Sequence, residues 1–158
     1  MGKNRKLKKD VKSKFLVKEP WKRLLSLVDG REIAKVWRGY GTKIFLEVGS
    51  LDDSGRGEVT IAINDTWSLV KKNELIVSSN ENNWKEIDAT LARLQGQRIL
   101  FATIGREGGL MILIGESTLR IQQSLNRDEM IIPWYIRYKS EGIFVRFQRN
   151  RICIKKWD

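Results

Sequence analysis

The sequence predicts an α+β fold, rich in β-strands, in which two similar units share one core in a pseudo-two-fold arrangement. Each unit is a helix followed by an antiparallel meander. Three observations predict this fold: a motif that occurs twice, apolar residues that alternate with period two, and glycine-rich turns between the alternating segments. With 158 residues the chain is long enough for one domain with its own core, which is our expectation.

The motif reads GREIAKVWRGYGTKIFLEVG at residues 30–49 and GQRILFATIGREGGLMILIG at residues 96–115. An offset of 66 residues superimposes glycines and apolar residues without a gap. The coinciding pairs are Gly30 and Gly96, Ile33 and Ile99, Gly39 and Gly105, Ile44 and Leu110, Leu46 and Ile112, Val48 and Ile114, and Gly49 and Gly115. Further along, WSLVKKNELIVSS from Trp67 matches WYIRYKSEGIFVR from Trp134 at an offset of 67. We interpret residues 21–80 and 81–158 as duplicated units.

Each unit opens with a predicted helix. In residues 83–95 the apolar side chains of Trp84, Ile87, Leu91 and Leu94 have helical spacing, with an asparagine suited to capping before them and Gly96 after them. The shorter WKRLLSLVDG predicts a helix over residues 21–30. Strands are predicted at 31–37, 43–48, 58–63, 67–72, 75–77, 98–104, 110–114, 118–122, 134–139, 142–148 and 151–156.

Glycine clusters separate several of these strands. GYG, GRG and GREGG are interpreted as hairpin turns, because no Gly-Lys-Ser/Thr follows them and no predicted helix begins after them. Residues 50–56 and 123–130 match nothing in the other unit and are predicted loops, where specificity often resides.

Positive charge is concentrated at the two ends of the chain. Of the net charge of +11, residues 1–23 carry +8 (ten basic, two acidic) and residues 137–158 carry +5 (seven basic, two acidic). We therefore interpret residues 1–20 as a basic N-terminal arm. Leu7, Val11 and Phe15 recur every fourth residue in it and could form the apolar side of a helix. Two interpretations stay open, a solvated tail and an arm that binds an anionic partner such as nucleic acid.

The final hairpin predicts a second basic surface. In GIFVRFQRNRICIKKW, period two directs Ile143, Val145 and Phe147 to the core with Ile152 and Ile154 opposite them. The other side then interleaves aromatic and basic residues, which suits single-stranded nucleic acid. The alternative is that Phe144 and Trp157 pack under the N-terminal helix of a neighbouring unit, with the cations extending to solvent at its rim. The predicted nucleic-acid-binding residues are Lys6, Lys8, Lys9, Lys12, Lys14, Phe144, Arg146, Arg149, Arg151 and Lys155.

Catalysis has little support in the sequence. Histidine is absent, and Cys153, the single cysteine, can complete neither a disulfide within the chain nor a zinc site. Glu47 and Glu58 could converge from neighbouring strands, but each is interpreted as a solvent-facing strand residue. The pairs Asp52–Asp53 and Asp128–Glu129 could contact magnesium and are interpreted as ordinary surface. We expect no enzyme activity, no bound metal and no cofactor.

Localisation follows from hydropathy and from the first residues. No apolar run approaches the length of a bilayer span, and the basic start lacks the apolar region of a signal peptide. We expect a cytoplasmic protein without a membrane span.

The segment GEVTIAINDTWSLVKKNELIVSS, a following helix, and GGLMILIGESTLRI before Trp134 resemble a group of small bacterial proteins of uncharacterised activity. The resemblance covers about residues 24–139 and is carried by Gly30, Gly57, Glu58, Trp67, Gly96 and Trp134. It implies no activity. In size and build the chain is also similar to immunity proteins that accompany bacterial toxins, by analogy alone.

The sequence thus predicts a non-catalytic binding protein whose basic ends contact an anionic partner, foremost RNA or DNA. The alternative is a protein-interaction module such as a bacterial toxin-neutralising protein of the immunity type.

Overall fold

A computed structural model describes residues 20–81, 83–105, 107–122, 132–149 and 151–157. Within these ranges the fold is β-rich and broadly α+β, with two antiparallel sheets and two short helices. In chain order the elements are α1 (Pro20–Ser26), β1 (Ile33–Arg38), β2 (Ile44–Val48), β3 (Val59–Ile63), β4 (Trp67–Lys71), β5 (Glu74–Ser78), α2 (Trp84–Ala92), β6 (Ile99–Ile104), β7 (Leu110–Ile114), β8 (Ser117–Ile121), β9 (Trp134–Tyr138), β10 (Ile143–Gln148) and β11 (Arg151–Lys156).

The predicted strands are all present, with ends that agree to within two residues. The helices are shorter than predicted, ending at Ser26 and Ala92. In both cases the chain continues with hydrogen bonds from each N–H to the carbonyl three residues earlier, as from Leu27 to Leu24 and from Leu94 to Leu91. Bonds of this kind are typical of a 3₁₀-helix, so each α-helix ends before the chain reaches Gly30 or Gly96.

Capping and burial fix both helices. The side chain of Asn83 accepts a hydrogen bond from the N–H of Glu86 and caps α2, which buries Ile87 and Leu91. Helix α1 begins at Pro20, a residue that suits the first turn, and buries Leu25. Helix α1 packs against β6 and α2 packs against β1, so each helix contacts a strand from the other half of the chain.

The strand order is β1-β2-β3-β9-β10-β11 in the six-stranded sheet and β5-β4-β8-β7-β6 in the five-stranded sheet. Each predicted meander is therefore divided between the sheets. The chain leaves the six-stranded sheet between Ile63 and Trp67 and returns to it between Ile121 and Trp134. Alternate apolar residues of both sheets turn inward and form one buried cluster with residues of both helices.

Corresponding backbone contacts occur in both sheets at an offset of 66 residues. The pairing of β1 with β2 shifts register between Ile33 and Lys35, and that of β6 with β7 shifts between Ile99 and Phe101. The N–H of Gly30 donates to the carbonyl of Ile99 at 2.6 Å, and the N–H of Gly96 donates to that of Ile33 at 2.8 Å. These bonds join the start of β1 to the start of β6.

Two buried tryptophans anchor the hairpin turns in the same corresponding way. The indole N–H of Trp67 donates to the carbonyl of Thr42 at 2.9 Å, and that of Trp134 donates to the carbonyl of Gly108 at 2.8 Å. Thr42 lies in the turn between β1 and β2, and Gly108 in the turn between β6 and β7. The glycine clusters therefore lie between antiparallel strands, as predicted.

Candidate nucleic-acid interface

The outer surface of β9, β10 and β11 combines aromatic and basic side chains. Register places Phe144 between Arg137 and Lys155, and it places Arg146 between Tyr135 and Cys153. Residues directly opposite one another share a side of the sheet. We call the surface formed by Tyr135, Arg137, Phe144, Arg146, Lys155 and Trp157 the basic–aromatic face.

The inward side of the final hairpin follows the prediction with one exception. Val145 and Phe147 are buried, and Ile143 and Ile152 pack against the core. Ile154 was expected to face the core but is 41% exposed. It lies on β11, the last strand of the six-stranded sheet among the described residues.

Aromatic contacts hold the rings of the basic–aromatic face in place. Phe144 contacts Tyr135 edge-on at 5.7 Å between ring centroids and contacts Trp157 at 4.7 Å. The guanidinium of Arg137 lies 5.2 Å from the centroid of the Trp157 ring. These side chains are partly buried, so each ring is supported by neighbours while part of it remains accessible.

The cations of this face have no acidic partners among the described residues. In the described ranges, no carboxylate forms a salt bridge with Arg137, Arg146 or Lys155. Arg151 pairs across the hairpin with Gln148 and is exposed on the same side of the sheet. Arg149 lies in the turn with φ of 53°, outside the face.

A pocket of about 280 Å³ opens into the basic–aromatic face, lined by Ile132, Tyr135, Phe144, Arg146 and Lys155. The Nε atom of Arg146 is buried, and no acceptor in the described part of the chain lies within hydrogen-bond distance of it. A buried guanidinium N–H without an acceptor is costly, since it has lost water and gained nothing in exchange. Arg146 thus combines a place in the pocket lining with a buried N–H that has no acceptor among the described residues.

A second aromatic group lies on the outer side of the same sheet at β1 and β2. Trp37 stacks on Phe45 with ring centroids 3.9 Å apart and an interplanar angle of 9°. The guanidinium of Arg56, from the loop before β3, lies 4.6 Å from the centroid of the Trp37 ring. The loop thus extends over the outer side of the sheet.

Glu47 lies beneath this group and is fully buried, so the expectation that it faces solvent is wrong. Its carboxylate accepts hydrogen bonds from Trp37 Nε1 at 2.9 Å, Arg56 Nη1 at 3.2 Å, the N–H of Gly57 at 2.9 Å and Thr60 Oγ1 at 2.6 Å. Burial raises the pKa of Glu47, but these four hydrogen bonds outweigh burial and lower it overall. The carboxylate stays charged and structural.

The other acidic candidates are separate from Glu47. Glu58 is exposed, as expected, and accepts from the N–H of Ser50 while pairing with Arg31 at 3.5 Å. The two glutamates therefore have separate sets of partners and do not form an acid pair.

Asp52 is held by a network of its own. It accepts from Lys139 Nζ at 2.6 Å and from Ser54 Oγ at 2.6 Å, and the Lys139 ammonium chiefly holds the pKa of Asp52 well below its usual range. Among the described residues, no three Asp, Glu or Cys side chains are placed to hold a metal ion. Asp128 and Glu129 lie outside the described residues.

The structure brings together only part of the predicted set. Phe144, Arg146 and Lys155 line the pocket, Arg151 lies nearby, and Arg149 does not join them. The five lysines of the arm, Lys6, Lys8, Lys9, Lys12 and Lys14, lie outside the described residues, as does the predicted loop 123–130.

Sequence reasoning missed Tyr135 and Arg137, although the alternation in WYIRY, with Trp134, Ile136 and Tyr138 buried, already directs both outward. It also missed Trp37, Phe45 and Arg56. Their place on the same side of the sheet depends on the pairing of β3 with β9, which no local pattern predicts.

No helix in the described part of the chain is long and apolar enough to span a membrane. Comparisons with protein-family models, with curated proteins and with solved structures found no match.

Proposed function

We propose that the protein is a cytoplasmic, non-catalytic binding protein that holds single-stranded RNA or DNA on its basic–aromatic face. The observation that carries the proposal is the contact of supported aromatic rings with cations that no described carboxylate neutralises. Bases stack on such rings, and Lys and Arg side chains bind phosphates. The combination accommodates many sequences because every base has a π-surface.

The basic arm supports the same proposal from the sequence. Residues 1–20 carry eight of the Lys and Arg residues of the chain, and each phosphate that they neutralise would release a counterion. Removal of residues 1–18 should therefore weaken binding and reduce its salt dependence.

A matched pair of charge reversals tests the proposal. Lys155 and Arg120 are both exposed, Lys155 on the basic–aromatic face and Arg120 on the outer side of the five-stranded sheet. Each of Lys155→Glu and Arg120→Glu changes the net charge equally. Binding is measured by fluorescence anisotropy with labelled single strands of about twelve nucleotides, RNA and DNA, between about 50 and 200 mM salt.

We expect K155E to weaken binding about tenfold and to reduce the salt slope by about 1. R120E should change the affinity less than about twofold, because it lies on the other sheet. Equal losses in both variants would mean that only net charge matters and would reject this face as the binding site. An absence of binding by the wild-type protein would reject the proposal as a whole.

A specific observation favours a second candidate, a protein-interaction module of the toxin-neutralising type. The outer side of the five-stranded sheet exposes Leu75 (62%), Phe101 (45%) and Met111 (37%). Leu75 and Phe101 share one row of cross-strand pairs with Val70, Thr118 and Leu113, so this row is largely apolar, whereas Met111 pairs with Arg120 and Thr103. Copurification with and without nuclease separates the two candidates. A protein partner that survives nuclease and high salt, and that is lost with Phe101→Ser but not with K155E, would favour the second.

We also propose that residues 21–80 and 81–158 are duplicated units of one domain, similar to the group of small bacterial proteins described above. The offset of 66 residues in sequence, register shifts and backbone hydrogen bonds supports duplication. The matched substitutions Gly30→Ala and Gly96→Ala test it.

A further inference from the structure

The pocket in the basic–aromatic face has the size of a site for one base. Its volume of about 280 Å³ lies just below the range of about 300–1,000 Å³ that is typical of small-molecule sites. Phe144 forms one wall, and its ring is fixed from two sides by Tyr135 and Trp157. A fixed aromatic wall offers a stacking surface at a small entropic cost.

The polar groups of the pocket determine which edge of a base could form hydrogen bonds there. Arg146 and Lys155 carry hydrogen-bond donors and no acceptors, and none of the described lining residues is acidic. The buried Nε of Arg146 has no acceptor among the described residues. The guanidinium of Arg146 is a planar fork of N–H donors, and a ligand edge that presents two acceptors side by side matches this fork.

The N7/O6 edge of guanine and the N3/O2 edge of an unpaired cytosine each present two adjacent acceptors, and the guanine edge is the one that arginine most often binds with two hydrogen bonds. Adenine places a donor beside its N7 acceptor, which the guanidinium cannot match. We infer that this pocket binds a single unstacked guanine of the bound strand, with Arg146 as the residue that determines base preference. The inference rests on the proposed function and adds sequence preference to it.

The test uses the full chain and single strands of oligouridine or oligothymidine that carry G, A, C or no replacement at the central position. We expect the G strand to bind at least about fivefold more tightly than the others. In Arg146→Lys, which keeps the charge but loses the planar fork, this preference should fall below about twofold. Arg151→Lys, on the same side of the sheet and outside the pocket, should keep the preference.

A second measurement needs no variant. The Nε–H resonance of Arg146 in the wild-type protein should shift on addition of GMP and much less on addition of AMP, CMP or UMP. Equal shifts for all four nucleotides, or a preference of the strands for cytosine or adenine, would overturn the inference. Binding of all strands with equal affinity would reject the guanine pocket and leave the proposed function intact, whereas no binding of any strand would reject both.

Discussion

At the residue scale, the buried carboxylate of Glu47 explains why Trp37 and Arg56 hold fixed positions on the outer side of the sheet. Both donate to the same oxygen, Oε1, while the N–H of Gly57 and the hydroxyl of Thr60 donate to Oε2. A buried charge is tolerated when all of its hydrogen-bonding capacity is used. The stacked Trp37 and Phe45 rings therefore lie on a satisfied polar network.

Substitution of Glu47 by glutamine should destabilise the protein. The amide keeps the shape of the carboxylate but turns one acceptor into a donor that faces other donors. We expect Glu47→Gln to lower the free energy of unfolding by about 1–3 kcal/mol, as measured by urea denaturation. Glu116→Gln serves as control, because Glu116 is largely exposed in its ion pair with Lys71, and should change stability by less than about 0.5 kcal/mol. Equal stability of E47Q and wild type would contradict this role.

The lowered pKa of Glu47 also gives stability a pH dependence of definite sign. The ionised group stabilises the fold fully above its unfolded-state pKa of about 4.3, and this contribution is lost as the pH falls through the lower folded-state value. The difference in unfolding free energy between wild type and E47Q should thus be constant near neutral pH and shrink below about pH 4.3.

Asp52 and Asp88, whose pKa values are lowered mainly by Lys139 and Arg38, titrate in both proteins, so their effects cancel in this difference. Denaturation series between about pH 7 and pH 3 measure it. A difference that widens on acidification would show that the sign is wrong.

At the element scale, the strands could be read from the sequence because their side chains alternate and glycine-rich turns separate them. The inward residues of β2, Ile44, Leu46 and Val48, are all buried. The same alternation directs Glu47 outward, and from this alone it was assigned to solvent. The assignment failed because the loop carrying Arg56 and Gly57 covers the outer side of β2, a contact that strand periodicity does not encode.

The candidate site was predictable in the same partial way. Local alternation placed Phe144, Arg146 and Lys155 together, since they belong to one hairpin. Trp37 and Phe45 lie on the same side of the sheet as this hairpin only because β3 pairs with β9. The lining of the pocket also includes Ile132 and Tyr135, which are outside the hairpin. These are contacts between distant segments, and sequence patterns describe each segment separately.

The loop over β2 depends on the absence of a side chain at Gly57. A Cβ there would lie 2.6 Å from the N and 2.7 Å from the O of Val48, both backbone atoms that cannot rotate away. We expect Gly57→Ala to cost about 3 kcal/mol in thermal or urea unfolding and to increase solvent exposure of Trp37, followed by its fluorescence. Gly41→Ala is the control: φ there is 66° and nothing lies within 4 Å of the added Cβ, so only about 1–2 kcal/mol of backbone strain is expected. A smaller loss in G57A than in G41A would contradict the close approach.

At the scale of the whole molecule, the proposed duplication predicts equal sensitivity at corresponding positions. Gly30 and Gly96 have φ of 74° and 84°, and nothing lies within 4 Å of a Cβ added to either. Gly30→Ala and Gly96→Ala should each cost about 1–2 kcal/mol of backbone strain and differ by less than about 0.5 kcal/mol. Urea unfolding of both variants measures this. A neutral effect at one position and a large loss at the other would argue against corresponding units.

The two outer surfaces of the molecule differ in chemistry. The basic–aromatic face belongs to the six-stranded sheet, whereas the outer side of the five-stranded sheet exposes Leu75, Phe101 and Met111 with Arg120 as a nearby cation. Phe144 lies on β10 and Lys155 on β11, the last two strands at one end of the six-stranded sheet. The added strand β11 supplies Lys155 and so extends the proposed binding surface.

The division of strands between the sheets constrains how the chain folds as it leaves the ribosome. Ile61 of β3 pairs with Ile136 of β9, 75 positions later in the chain. At about 5–20 residues per second, β3 therefore waits about 4–15 s for its neighbour to be synthesised. During that interval one edge of the sheet formed by β1, β2 and β3 is unpaired and apolar on its inner side. Because β3 can pair with β9 only after β9 has been made, the closing of the six-stranded sheet is coupled to synthesis of the second half of the chain.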